Sequence, residues 1–280
     1  MQILRTVKEL RNWSRGQRGA SKTVGLVPTM GALHRGHASL IQTAAASCSG
    51  VVVSIFVNPT QFGPNEDYAR YPRTFEADCK LAEEAGATAV FAPAVEEIYT
   101  PGAETFVDAG RLSDKLDGGS RPGHFRGVAT IVAKLFIAAE PDKAFFGQKD
   151  AAQVAVLRRM TRDLCFGLEL VVCPIVREAD GLALSSRNAY LSAEERRQAL
   201  VLSRAVHSVV GLFAEGERNS DALREAARGI LATEPTVRVD YLELVDWETL
   251  EAVDVAVQGT LFAVAAWVGA TRLIDNVLLG

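Results

Sequence analysis

The sequence predicts an α/β protein: a doubly wound parallel sheet over residues 1–176, followed by a smaller α+β domain over 177–280. Three observations point there. Short β-branched runs alternate with amphipathic helical segments up to Val176, the rhythm of strands joined by crossover helices. Residues 51–57 are an almost uninterrupted β-branched and aromatic run, as expected of a parallel strand covered on both faces. Beyond a polar loop at 177–188 the order changes to consecutive helices and then consecutive strands.

Taken in order, residues 6–15 have the spacing of a short amphipathic helix. Residues 23–27 form an apolar strand that Pro28 and Gly31 stop, and helical periodicity resumes over 38–46, so His34 and His37 fall at a strand-to-helix turn. The strand at 51–57 runs into Asn58-Pro59-Thr60-Gln61-Phe62-Gly63-Pro64, whose prolines and glycine predict a loop without helix. A helix over 75–86 closed by Gly86 and a strand over 88–92 follow. Residues 118–127 read as a flexible basic loop ahead of a helix over 128–139. A strand at 143–146 then feeds Gly147-Gln148-Lys149-Asp150, a helix covers 151–164, and a strand over 168–176 closes the sheet. After the polar loop, Ser192-Ala193-Glu194-Glu195 has a capping-box pattern that opens one long helix to 215. A second helix fits 220–232, and strands fit 237–245, 261–268 and 271–277.

The 280 residues carry a formal net charge of −4, which provides no general attraction for nucleic acid or an anionic membrane. The most apolar C-terminal run, 261–268, is too short to span a bilayer. Cys48, Cys79, Cys165 and Cys173 lack metal-type spacing and no secretory leader precedes them, so the expectation is a cytoplasmic protein whose thiols pack in the core.

Neither a Gly-x-x-x-x-Gly-Lys-Ser/Thr loop nor a strand-coupled Gly-x-Gly-x-x-Gly is present, which removes a P-loop and disfavours a dehydrogenase-type dinucleotide site. A Gly-x-Ser-x-Gly nucleophile elbow is also missing. What remains begins with His34-x-Gly36-His37 at a predicted helix start, where unpaired N–H groups and the positive end of the macrodipole favour an anion such as phosphate. Gly36 removes bulk between the rings. The plainer reading makes one histidine a helix cap and the other a surface residue; the strand-Pro-Gly-His-Gly-His context favours the anion site. No third ligand at recognisable spacing supports zinc. Lys149 offers a point charge and Arg187 a forked donor, two ways of neutralising a transferring phosphoryl group. Ser185 and Ser186 can donate to phosphate or serve a local turn, and Gln61 and Gln153 suit a hydroxyl-bearing acid or lie at the surface as plain amides.

Together these residues resemble the pantothenate synthetase (pantoate–β-alanine ligase) family nearly end to end. The resemblance is carried by Pro28-Thr29-Met30-Gly31-Ala32-Leu33-His34-x-Gly36-His37, Asn58-Pro59-x-Gln61-Phe62, Tyr71-Pro72-Arg73 and Gly123-His124-Phe125-Arg126-Gly127. Phe146-Gly147-Gln148-Lys149-Asp150, Asp180 through Asn188, and Arg272-Leu273-Ile274-Asp275-Asn276 complete it. It implies a Rossmann-like nucleotidylyl transferase domain with a C-terminal lid, and a two-step reaction. Pantoate carboxylate attacks the α-phosphorus of ATP, giving pantoyl adenylate and pyrophosphate; the amine of β-alanine then displaces AMP to form pantothenate. Carried over by motif, His34, His37, Lys149, Ser185, Ser186 and Arg187 are the catalytic set. Pro28, Thr29, Met30, Gly36 and Val176 join them in binding ATP, Gly147 and Asp150 hold its ribose, and Met30, Gln61 and Gln153 grip pantoate. The resemblance further implies a homodimer and Mg2+ carried mainly on ATP oxygens, with no protein ligand named and with Glu66 or Asp67 as candidates for outer contacts. The chain departs from the family where an aromatic and a second Gln often precede Gln153, having Ala151 and Ala152, and at Leu184, where Met is frequent. Two rival readings are another nucleotidylyl transferase of the superfamily and a catalytically silent nucleotide-binding module.

Overall fold

The structure, a computed structural model, describes residues 1–64 and 66–280. In chain order the strands are β1 (Gln2–Leu4), β2 (Val24–Thr29), β3 (Gly50–Ile55), β4 (Ala89–Phe91), β5 (Lys143–Gly147), β6 (Glu169–Cys173), β7 (Val237–Val245), β8 (Leu261–Val268) and β9 (Thr271–Leu278). The α-helices are α1 (Val7–Gly19), α2 (Arg35–Ser47), α3 (Phe75–Glu84), α4 (Val95–Ile98), α5 (Asp117–Ser120), α6 (His124–Ala139), α7 (Ala151–Asp163), α8 (Ala193–Gln198), α9 (Leu200–Ala214) and α10 (Ser220–Leu231). Tertiary contacts divide the chain into two compact units. The first holds Met1–Asp114, Arg121–Gly147 and Val156–Cys173; the second holds Lys115–Ser120, Gln148–Ala155 and Pro174–Gly280.

The first unit is built on a six-stranded sheet in the order β1-β4-β3-β2-β5-β6, with every pairing parallel. This is the doubly wound α/β arrangement that the strand-helix rhythm predicts. Val51 and Val53 of β3 pack with Leu40, Ile41 and Ala44 of α2 and Ala82 of α3. Val52 points the opposite way by the two-residue period of a strand and is also fully buried, so β3 is covered on both faces. Each such valine contributes roughly 1.5–3 kcal/mol relative to leaving it in water. From β2 the chain proceeds to β3 and β4, then crosses to β5 on the other side of β2. That reversal is the switch point beyond whose carboxyl ends ligands bind in open α/β sheets. Leu26 pairs with Ala144, so Thr29 and Gly147, each three residues further on, end neighbouring strands at one level.

The second unit is a three-stranded antiparallel sheet, β7-β8-β9, with α9 and α10. Val201, Leu202, Val209 and Leu223 from the helices share one core with Leu242, Phe262 and Val264 from the sheet. The segment around α5 is fastened within this unit by Arg272 of β9, which bonds Asp117 at 2.6 Å and Asp240 at 2.7 Å, while the Ser120 hydroxyl donates to Asp240 at 2.7 Å.

Several boundaries differ from the sequence reading. β1 is unanticipated because three residues carry no usable period; it exists by pairing with β4. The loop at 58–64 does contain one 3₁₀ turn, Pro59–Gln61, where proline stands at the first position and its missing N–H costs nothing. α6 starts at His124, earlier than residue 128, since Gly123 at φ 81° lets the chain turn directly into the helix. The Ser192–Glu195 capping box is present, but the helix it opens gives way at Ala199 to α9. β6 ends at Cys173, short of Val176. Cys48 and Cys173 are buried and burial raises both thiols, whereas Cys165 is exposed at φ 54°, beyond the end of α7, and is not a core residue. Among the described residues no helix is long and apolar enough to cross a membrane.

Candidate active site

In the first unit β2 ends at Thr29, whose hydroxyl donates to Ser54 O at 2.6 Å and accepts the Gly31 N–H at 3.2 Å. Gly31 (φ 89°) and Ala32 (φ 51°) then turn the chain through two successive left-handed residues. His34 is the N-cap of α2. Its Nδ1 accepts the Gly36 N–H at 3.1 Å, and Nδ1 of His37 accepts the His34 N–H at 3.3 Å. Two imidazoles thus make a reciprocal cap, satisfying N–H groups that a helix start leaves open. Their ring centroids lie 4.1 Å apart with 35° between planes. Because each Nδ1 accepts, the neutral rings carry their protons on Nε2, and each presents an N–H donor beside the positive end of the helix. The capping and anion-binding readings are therefore compatible: the cap orients the donors.

Gln61 is only 8% exposed. Its Nε2 donates to Met30 Sδ at 3.0 Å and its Oε1 accepts from Asn58 Nδ2 at 2.9 Å. Asn58 is fully buried; its Nδ2 also donates to Gly127 O at 3.1 Å, and its Oδ1 accepts the Tyr99 hydroxyl at 2.7 Å. The Gln61 carbonyl accepts from His124 Nδ1 at 2.8 Å, which leaves Nε2 of that ring to accept from Arg121 at 2.9 Å. Arg121 in turn forks onto Glu66 at 2.7 and 2.6 Å. Both oxygens of Glu66 are thereby engaged, which disfavours it as an outer metal contact; Asp67 beside it is half-buried.

Burial pushes Glu66 up, yet hydrogen bonds and charge from Arg121, with the Gly63 region, hold it below the ordinary carboxylate value. A depressed folded-state value means stabilisation present above the unfolded value and lost as pH falls through the folded one. The urea midpoint difference between wild type and Glu66→Gln should therefore be full at neutral pH and shrink once pH drops below the ordinary value of 4.5; a difference that grows on acidification contradicts the pairing.

In the second unit a 3₁₀ turn, Gln148–Asp150, carries Lys149, with Nζ 3.2 Å from Asp150 Oδ1. The turn is braced from β9: Asn276 Nδ2 donates to Gln148 O at 3.1 Å and Lys149 O at 2.8 Å, and Gln148 returns a bond to Asn276 Oδ1 at 3.3 Å. Ala151 and Ala152 are buried in the first turn of α7, with Gln153 half-buried next to them. The other nominated loop is a small hairpin. Arg177 pairs with Ala183, and Leu184 N donates to Val176 O at 2.9 Å, which sets Val176 opposite the residue before Ser185. Ser185 caps the 3₁₀ turn Ser186–Tyr190 by accepting the Arg187 N–H at 3.3 Å. Arg177 forks onto Asp275 of β9 at 2.7 and 2.8 Å. Adjacent residues of one strand, Asp275 and Asn276, thus support both loops.

The family described as pantoate-beta-alanine ligase matches residues 2–278. The chain belongs to that family. It is 62% identical over 283 residues to the pantothenate synthetase of Acidobacterium capsulatum, spanning 100% of this chain and 95% of that protein. The pantothenate synthetase of Thermotoga neapolitana is 55% identical over 280 residues, with 100% of both chains covered. Among solved structures, pantothenate synthetase from Thermus thermophilus superposes with a TM-score of 0.93 at 47% identity, covering 99% of each chain. Pantoate-beta-alanine ligase from Francisella tularensis, solved with beta-gamma ATP and beta-alanine, gives 0.79 at 30% identity, covering 99% of this chain and 97% of its own.

In this chain the first unit gathers Pro28, Thr29, Met30, His34, Gly36, His37 and Gln61 around the end of β2, with Gly147 ending the neighbouring β5. The second unit holds Lys149, Asp150 and Gln153 on one segment and Val176, Ser185, Ser186 and Arg187 on another. Four supporting residues have no role in the sequence reading: Asp78, Asn58, Arg177 and Asn276. Asn58 and Asn276 stand within the motifs that carry the resemblance, and Asp78 shows as an acidic residue four positions from Ala82 on the buried side of α3, but nothing along the chain indicates what any of them contacts.

Proposed function

We propose that this protein condenses pantoate with β-alanine at the expense of ATP through pantoyl adenylate, releasing pyrophosphate and then AMP. The observation that carries this reading is the full-length match to the family, in a chain whose histidine pair presents two Nε2–H donors at a helix start beyond the sheet's switch point. In the first step a pantoate carboxylate oxygen bonds to the α-phosphorus and the bond to pyrophosphate breaks. In the second the β-alanine nitrogen bonds to the acyl carbon, AMP leaves with the C–O bonding pair, and the amine loses a proton. Neither step uses a protein nucleophile, so catalysis falls to positioning and charge stabilisation.

His34 and His37 are assigned to phosphate oxygens as neutral donors, Lys149 and Arg187 as cations, and Ser185 and Ser186 as hydroxyl donors. Pro28, Thr29, Gly36 and Val176 line the nucleotide, Gly147 and Asp150 hold the ribose, and Met30, Gln61 and Gln153 hold pantoate. Among the described residues no group of three or more His, Cys, Asp or Glu could hold a metal ion. Mg2+ is assigned to the phosphate oxygens of ATP, where it would neutralise charge on the leaving pyrophosphate. A homodimer and a cytoplasmic setting, where ATP is available, complete the proposal.

The deciding experiment measures pyrophosphate release from ATP, with β-alanine as acceptor, in the presence and absence of pantoate. Strict pantoate dependence with formation of AMP and pantothenate is expected. Release indifferent to pantoate, or ATP binding without turnover, defeats the reading. The Gln61 assignment has its own test at Gly127, where a Cβ would lie 2.6 Å from Thr60 C and 2.7 Å from Gln61 Cα. Backbone must shift to admit it. Gly127→Ala is expected to cost about 1–3 kcal/mol of stability in urea unfolding and to raise KM for pantoate more than KM for ATP.

A further inference from the structure

We propose that Asp78 is the positioning residue for the histidine pair, holding the turn that aims His34 and His37 during adenylate formation. The inference rests on the role proposed above for the histidines. Asp78 lies on α3 and is 2% exposed. Its Oδ2 accepts the Ala32 N–H at 3.0 Å, and its Oδ1 accepts the Leu33 N–H at 2.8 Å and the Thr74 hydroxyl at 3.0 Å. Burying a carboxylate is costly, and although Asp78 stands in the first turn of α3, where the helix favours negative charge, an exposed carboxylate such as that of Glu76 would serve that purpose without the cost of burial. What the carboxylate does is secure two successive N–H groups of the segment that leads into His34.

That segment would not hold its conformation unaided. Ala32 sits at φ 51°, a left-handed position unfavourable for any residue with a Cβ. At Gly31, φ 89°, an added Cβ would lie 3.0 Å from Asp78 Oδ2 and 3.1 Å from Ile55 Cγ2. The turn is thus closed from one side by glycine and clamped from the other by the carboxylate. Leu33 is bonded directly to His34, and the His34 N–H is the donor that fixes Nδ1 of His37. A shift of the turn therefore moves both rings together. Among the described residues the hydrogen bonds of Gln61, to Met30, Asn58 and His124, are distinct from those of Asp78, so the Gln61 side chain keeps its partners when the carboxylate is changed.

The test is Asp78→Asn, equal in size but with one acceptor oxygen replaced by a donor that opposes a backbone N–H. Expected is a fall in kcat for pantoate-dependent pyrophosphate release on the order of 10–100-fold, with KM for pantoate changed by less than about two-fold because no Gln61 contact is touched. Adding Ala32→Gly, which removes the left-handed penalty, should recover part of the lost rate. Leu10→Ala, in the first unit's core on α1, serves as a control that lowers Tm without this kcat signature. Should Asp78→Asn not fold, Thr74→Val removes only the hydroxyl contact and should give a smaller loss of the same kind. Independently of activity, the imidazole 15N resonances of His34 and His37 should both move in the variant. An unchanged kcat in folded Asp78→Asn, a loss that only parallels the fall in Tm as in the control, or unmoved imidazole resonances overturns the inference. An inactive wild type with resonances that do move defeats the functional reading instead.

Discussion

Lys149→Ala is expected to slow pantoate-dependent pyrophosphate release by on the order of 10²–10³-fold, the effect of removing one well-placed charge donor from a transition state, roughly 3–4 kcal/mol. The structure supplies the reason that the loss should be chemical and not conformational. The turn carrying Lys149 is held through its backbone, by Asn276 on the carbonyls of Gln148 and Lys149, and those bonds survive removal of the side chain. The ammonium itself has Asp150 as a partner at 3.2 Å, a contact worth little to stability at a partly exposed site. Stopped-flow or quench measurement of the first pyrophosphate release, beside a thermal melt, separates the two. Near-wild-type release from a folded variant removes Lys149 from the catalytic set. Lys149→Arg is a poor substitute, since a planar fork does not reproduce a compact point charge.

Arg177→Ala carries the largest expected effect on stability, about 3–5 kcal/mol, because it strips the partner from a buried carboxylate. The side chain of Asp275 is 1% exposed and receives both arms of the guanidinium, plus the Asn276 N–H at 2.7 Å. The same guanidinium donates to Gly181 O at 3.0 Å, so the hairpin bearing Val176 and Ser185 loosens with it, and pyrophosphate release should weaken as well. Urea unfolding of Arg177→Ala, Asp275→Leu and the double variant Arg177→Met/Asp275→Leu decides the matter. The double variant should recover much of the loss, as apolar replacement of a whole buried pair often does; a cost for Arg177→Ala below about 1 kcal/mol would place the pair among ordinary surface bridges.

The local geometry around the candidate site residues was legible along the chain for a physical reason. His34 and His37 follow an apolar run, a proline and a glycine, and each of those signals acts on its immediate neighbours. Capping, turn formation and the macrodipole are local effects, so residue order is enough to read them. The support of the site was not legible. Asp78 reaches a turn 46 residues away, and Asn276 reaches a carbonyl 128 residues away. No period or spacing encodes such distances, and one sequence without its relatives shows none of the pairings. The boundary at β1 failed because that strand is held by something remote, its pairing with β4.

By itself the sequence determined the alternation of strands and helices, the change of texture after Val176, and the placing of histidines, Lys149 and the Ser185–Arg187 triplet after strand ends or in turns. These follow from side-chain period and from the fixed conformational preferences of proline and glycine, which operate over a few residues. Tertiary structure alone decided that the histidines cap α2 reciprocally through Nδ1, that Asp78 clamps the turn before them, and that Asp275 and Asn276 brace both loops of the second unit. It also decided that Lys115–Ser120 and Gln148–Ala155 belong with that unit. Those outcomes depend on which buried polar groups find partners once the core has closed, and partner choice is a property of the folded chain.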